Sequence, residues 1–298
     1  MKSVLATVAI AIALPFSFAA CVVVDTQGHI AREEKRFTVS GTPELHLTTF
    51  DGSITIRAGD TKTIVVEIEK RGPTQEAVDQ LKVETRQDGN RVEIEVRKAA
   101  REVVFFGVGH MSPTASLIVT VPAEGNVIAK SGDGAIRIEH VHGQLELRTG
   151  DGSVRGTDIG GKLTIATGDG SVTLDDVDGD VDVDTGDGGV SVAGKIGIAK
   201  LHTGDGSITF RAAAGTAMKD DWSIVTGDGG VSLFLPSDFA ADLDAHTGDG
   251  SIRNELSVAA EKDEDRDRER RTLKGKIGAG GKTLRIRTGD GSIRLKTD

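Results

Sequence analysis

A single cysteine, no tyrosine, one tryptophan and six prolines leave this 298-residue chain few of the usual means of fixing a fold or gripping a ligand. One cysteine excludes an internal disulfide, so hydrogen bonds and packing must hold the molecule together. Aromatic residues make up only 3% of the chain, which argues against a sugar site built on flat aromatic faces. The longest apolar run, residues 4–18, is shorter than the roughly 20 residues of a membrane-spanning helix. With 36 bases against 46 acids and a formal charge of −10, nucleic acid is excluded as a natural partner, because phosphate binding depends on Lys and Arg. Solubility and attraction of cations follow instead.

What the chain has in excess is glycine, 39 residues of it. The triplet Gly-Asp-Gly occurs eight times, and the copies starting at Gly132, Gly150, Gly168, Gly186 and Gly204 are spaced by a constant 18 residues. So short a unit cannot repay the conformational cost of ordering itself with the few apolar side chains it buries. Each copy must therefore be one coil of a stack, covered by its neighbours. In the coil 167–184, Val172 and Leu174 alternate with polar residues, as do Val181 and Val183. That alternation predicts two short strands per coil with one buried face. A second glycine, at Gly143, Gly161, Gly179 and Gly197, marks the other corner.

The triplet suits a tight corner, where glycine enters positive φ freely and Asp bonds nearby amides. Stacking such corners would line up Asp133, Asp151, Asp169, Asp187 and Asp205 about 4.8 Å apart. Like charges at that spacing repel unless solvated or bridged, and calcium, which takes carboxylate and carbonyl oxygens, is the candidate bridge. The calcium-binding β-roll has a turn of similar length, but the second half of each coil here lacks its Gly-Gly-x-Gly pattern. The preferred reading is no metal, no cofactor and no catalytic residue. Among the histidines, His140 and His142 sit two apart on one strand, while His202 and His246 each precede a Thr-Gly-Asp-Gly corner. No third or fourth partner for a zinc site is visible, so these histidines are expected to face solvent.

Residues 1–20 read as a signal peptide, with Lys2, the apolar run and then Phe18-Ala19-Ala20-Cys21. This resembles a bacterial lipoprotein signal in which Cys21 becomes the lipidated first residue; ordinary secretory cleavage is the competing reading. Loss of the signal moves the formal charge to −11, since it removes Lys2 and no acid. Val22 follows the cysteine, where an Asp would retain many Gram-negative lipoproteins at the inner membrane, so the outer membrane is expected. Residues 21–35 are expected as the lipidated cysteine and a tether. Residues 36–125 form an N-terminal β region capping the solenoid, with one degenerate corner at Asp51-Gly52 and a helical turn or two within 75–83. Residues 103–108 are an apolar stretch expected as a buried edge strand. Residues 126–298 carry the solenoid repeats.

After Gly204 the corners fall at Gly227, Gly248 and Gly289, with gaps of 23, 21 and 41 residues. The longest gap holds a charged loop at 259–275, whose segment 261–271 has six acids and five bases and is expected to loop out. The last strand, 292–296, is expected to close the stack, its Arg294 and Lys296 guarding an open edge.

The run Leu-Ile-Val-Thr-Val-Pro at 117–122, the first corner at 131–136, the repeated Thr-Gly-Asp-Gly-Ser corners, Leu-Phe-Leu-Pro at 233–236 and the closing 282–293 together resemble the bacterial putative adhesin family of β-solenoid proteins, once a domain of unknown function. The resemblance covers residue 36 to the end. It implies an all-β, right-handed parallel β-solenoid, β-helix-like, on an exported or membrane-associated protein, and it brings no functional residues with it. The expected function is a non-catalytic, lipid-anchored cell-envelope protein acting as an adhesin-like or scaffold protein. Its partners would be the membrane, through the N-terminal lipid, and an envelope protein or surface glycan. A calcium-stabilised surface module is the alternative. A polysaccharide-cleaving β-helix enzyme ranks below both, because a catalytic site needs one distinctive constellation and these aspartates recur in coil after coil.

Overall fold

The computed structural model describes residues 22–25, 28–59, 62–98, 112–260 and 271–298. Among them are 23 strands and one short helix, Gln75–Asp79, capped by the Thr74 hydroxyl, which accepts from the Ala77 amide. The strands join in one open, hydrogen-bonded network, so the chain is all-β.

The 18-residue period becomes a register. Val172 pairs with Val154, Val181 with Leu163 and Thr185 with Thr167, all in parallel. Val172, Leu174, Val181 and Val183 point inward and are at most 1% exposed. Three coils are single strands of 14 residues, Val154–Thr167, Val172–Thr185 and Val190–Thr203, where two short strands each were expected. The first two bend at Asp158 and Asp176, and the chain bends at the equivalent His140 one rung earlier; their φ values of 53°, 57° and 59° are left-handed. Asp and its relatives tolerate that conformation. The bend begins three residues before the glycines expected to make it, and two of these, Gly143 and Gly161, also have positive φ, 148° and 96°, whereas Gly179 does not. Gly143, Gly161 and Gly179 do stack in register, but Gly197 does not, because a bulge pairs Gly179 with Ile196 and Asp180 with Ile198.

Each coil contributes to two rows of strands. One row runs through Ile54–Gly59, Ile136–Glu139, the first halves of the three long strands, Ile208–Ala212 and Val231–Leu235. The other runs through Glu44–Thr49, Asn126–Ser131, His142–Thr149, the second halves of the long strands and Trp222–Thr226. The Asp51-Gly52 corner is therefore a rung of the stack itself. Antiparallel strands close this end: Gly28–Thr38 pairs with Thr63–Gly72, which pairs with Thr114–Pro122. Residues 28–35, expected as tether, form most of the first of these strands. The apolar stretch 103–108 lies outside the described residues.

The far end departs from sequence order. Ile293–Thr297 pairs in parallel with Val231–Leu235 on one side and with Ile252–Asn254 on the other. Thr283–Thr288 likewise lies between Trp222–Thr226 and Ala241–Thr247. The last strand is thus inserted within the stack rather than left at its edge, and Arg294 and Lys296 guard no edge. The charged loop is flanked by strands, Val258–Ala260 and Thr272–Ile277, paired with each other; residues 261–270 lie outside the described residues. At this end the core is aromatic: Trp222 is fully buried, 5.1 Å from Phe210 and 5.4 Å from Phe239 between ring centres. Its indole N–H donates to the Gly197 carbonyl at 3.0 Å, which satisfies the polar atom the burial would otherwise strand.

Candidate functional site

The repeated corner is built by a residue that precedes the triplet. Thr149, Thr167, Thr185, Thr203, Thr226, Thr247 and Thr288 all point inward and are buried. The Thr167 hydroxyl lies 3.0 Å from the carbonyl oxygen of Gly150 and 3.1 Å from that of Gly152, both one rung back. Thr203 repeats this with Gly186 and Gly188, at 3.2 and 2.9 Å. A hydroxyl has one proton to give, so each threonine shares it between two carbonyls of the neighbouring rung. At Thr203 the same oxygen also accepts from the Gly206 amide at 3.2 Å.

The glycines are required by stacking and not by backbone angle. None in the eight triplets has a positive φ, which corrects the expected reason for them. A Cβ on Gly170 would lie 2.0 Å from the carbonyl oxygen of Gly152, and one on Gly188 would lie 2.1 Å from that of Gly170. The amides of Gly168 and Gly186 donate to the carbonyls of Gly150 and Gly168, extending the ladder around the corner.

Asp133, Asp151, Asp169, Asp187 and Asp205 are exposed along one edge, as the spacing predicted. Each carboxylate leans toward the first glycine of the next triplet. The Oδ1 of Asp151 is 2.8 Å, and that of Asp169 3.0 Å, from where a Cβ would stand on Gly168 and Gly186. These five carboxylates accept no hydrogen bond and form no ion pair among the described residues, so Asp does not make the corner by bonding amides. Nor, among the described residues, do three His, Cys, Asp or Glu side chains converge where a metal could sit. Cys21 lies outside the described residues.

The histidines face solvent as expected, but they have acidic neighbours that the sequence did not reveal. His140 Nδ1 is 2.8 Å from Asp158 Oδ2, His142 Nε2 is 3.7 Å from Asp158 Oδ1, and His142 Nδ1 is 3.5 Å from Glu124. Hydrogen bonding to His140 holds the Asp158 carboxyl below its usual range. His246 pairs with the Thr272 hydroxyl at 2.9 Å. On that side Asp244 bonds Arg287 at 2.5 Å and faces Lys274 at 3.9 Å.

An open parallel stack with glycine-tight corners defines the class of the molecule, a solenoid of repeated rungs. The chain belongs to the Toastrack DUF4097 family, whose model matches residues 43–296. No curated protein matches it. Among solved structures it is similar to a "putative lipid binding protein" from Parabacteroides distasonis, at 16% identity and TM-score 0.49, over 89% of this chain and 96% of that one. A "putative adhesin" from Parabacteroides merdae is similar at 9% identity and TM-score 0.47, over 89% and 95%. A "putative cell adhesion protein" from Clostridium sporogenes is similar at 12% identity and TM-score 0.31, over 90% and 99%.

Proposed function

We propose that the protein is a non-catalytic, lipid-anchored cell-envelope protein that works as an adhesin-like or scaffold surface. The observation that carries this reading is the parallel rung register, which keeps the 18-residue period through the first row of strands from Ile136 to Ala212 and lines outward positions there into rows of side chains along the stack. A row of repeated contacts suits a long partner, whereas chemistry needs one unrepeated constellation. The faces are polar: among the described residues, Ile118 is the one exposed large hydrophobic. The coils are taken as right-handed, the hand of parallel crossovers in general, and the solenoid as exported behind a signal ending before Cys21. Anchoring at the outer membrane, facing either the periplasm or the outside, completes the reading.

Fractionation of Cys21→Ser tests the anchor: release of the variant from the membrane supports it, and unchanged membrane association overturns it. Protease digestion of intact cells, with a tag between residues 261 and 271, then separates an outer face from a periplasmic one. The partnerless aspartate edge favours a second reading, a calcium-stabilised module, which a calcium-specific rise in melting temperature would support.

A further inference from the structure

On the outward side of the first row of strands, Arg137 stands beside Arg155, and near the far end Arg294 stands beside Arg253. Between these two pairs the same row carries only hydroxyls, Thr173, Ser191, Thr209 and Ser232, each in register with the next. From Arg155 to Arg294 is five rungs, about 24 Å at about 4.8 Å per rung.

Like charges directly across neighbouring strands destabilise a sheet, and this chain does so twice in one row. It has acids to spare, yet Arg155, Arg253 and Arg294 are exposed and have no carboxylate partner among the described residues. Only Arg137 is partly neutralised, by Glu139 at 3.7 Å, which it shares with Arg57 at 3.5 Å. The triplet carboxylates lie at the corner just before this row, and Glu139 and Asp175 stand in the next outward row.

We propose that this row binds an extended anionic polysaccharide, with carboxylates on the two arginine pairs and sugar hydroxyls on the four Ser and Thr residues between them. The inference rests on the interaction-protein reading and names its partner class. An arginine fork matches a carboxylate with two parallel hydrogen bonds. The rung spacing is comparable to one pyranose of an extended chain, so successive sugars keep step with successive rungs. A DNA duplex, with about 3.4 Å of axial rise per phosphate on each strand, falls out of step. A lipid surface would be met by basic residues together with apolar side chains that enter it, and this row has none.

The test is binding of the purified mature chain to polygalacturonate at low salt, with neutral dextran and anionic phosphatidylglycerol vesicles in parallel. Arg155→Gln/Arg294→Gln is compared with Lys162→Gln/Lys200→Gln, which removes the same charge from the other row of strands; thermal melts verify that both fold. Polygalacturonate is expected to bind and dextran not to, with affinity falling about tenfold or more in the arginine variant and within about twofold in the lysine variant. Equal weakening by both variants, preference for vesicles, or no binding to polygalacturonate overturns the row. If wild type and arginine variant also sediment equally with envelope fragments, the row fails while the interaction-protein reading stands; absence of both kinds of binding overturns both.

Discussion

The Thr185 hydroxyl lies 3.1 Å from the carbonyl oxygen of Gly170, fifteen residues earlier in the chain and one rung away in the stack. It lies equally close to that of Gly168. Replacing it with valine keeps the volume and removes the proton, taking the side-chain donor from the carbonyl of the buried Gly170, while the Gly168 carbonyl keeps the Gly186 amide. Thr185→Val is expected to cost about 1–3 kcal/mol, read as a lower urea midpoint. Thr185→Ser should lose far less, since Ser131 already occupies the equivalent place and bonds the Gly52 carbonyl at 2.8 Å.

Two glycines of neighbouring corners should behave in opposite ways. Gly170→Ala puts a Cβ 2.0 Å from a backbone oxygen that cannot swing aside, so the rungs must part. The expected loss is about 4 kcal/mol or more. Gly189→Ala meets nothing nearer than 3.7 Å and has no positive φ to satisfy. It should leave stability unchanged or raise it by up to about 1 kcal/mol. Chemical denaturation of the pair checks both signs, and similar behaviour would refute the stacking account of the triplet.

Removal of residues 289–298 should disrupt more than an end. Ile293–Thr297 bridges Val231–Leu235 and Ile252–Asn254, so its loss separates two strands that have no other link in that row. Amide hydrogen exchange should lose protection in both neighbours. Fraying confined to one of them would contradict the inserted order.

Acid should weaken the molecule through a few paired carboxylates. Burial pushes the Asp244 carboxyl up, but the hydrogen bond and charge of Arg287, with Lys274 and Arg285, outweigh it and hold the group below its usual range. At Glu33 burial is likewise outweighed, by Lys70 and Lys35. A folded-state pKa below the unfolded one gives stability that is present above the unfolded value, about 4, and is lost as pH falls through the folded value. Both groups are partly exposed, so each contributes about 1 kcal/mol or less. Melting temperature should therefore fall as pH drops below about 4, and less steeply in Asp244→Asn than in wild type.

The aspartate edge should respond to ionic strength. Five exposed carboxylates one rung apart repel one another, and salt screens that repulsion. Calcium is expected to raise the melting temperature no more than sodium chloride of equal ionic strength. A larger, calcium-specific shift that a chelator reverses would favour the calcium-stabilised alternative.

The period of the triplets and the alternation of Val172, Leu174, Val181 and Val183 made the stack, its rung register and its buried face legible in the sequence. Both follow from local parity and a fixed repeat. The order Gly227, Gly289, Gly248 along the stack was not legible, because a 41-residue gap allows either insertion or addition and only packing chooses. The corner was located correctly but explained by the wrong residues: φ was expected to demand glycine, whereas contact between rungs does. A signal for the threonine staple was present, since seven of the eight triplets follow a Thr and the first follows Ser131 at the same inward parity as Leu147 in its neighbour. Part of the arginine and hydroxyl row follows the 18-residue period, from Arg137 and Arg155 through Thr173 and Ser191 to Thr209, but Ser232, Arg294 and Arg253 join it only through the far-end order.

The most direct test of the account mixes the lipid-free mature chain, residues 22–298, with purified envelope fragments and measures both bound protein and the length of the envelope polymers. The account predicts saturable binding with polymer length unchanged. Absence of binding, or progressive shortening of the polymers, would contradict it.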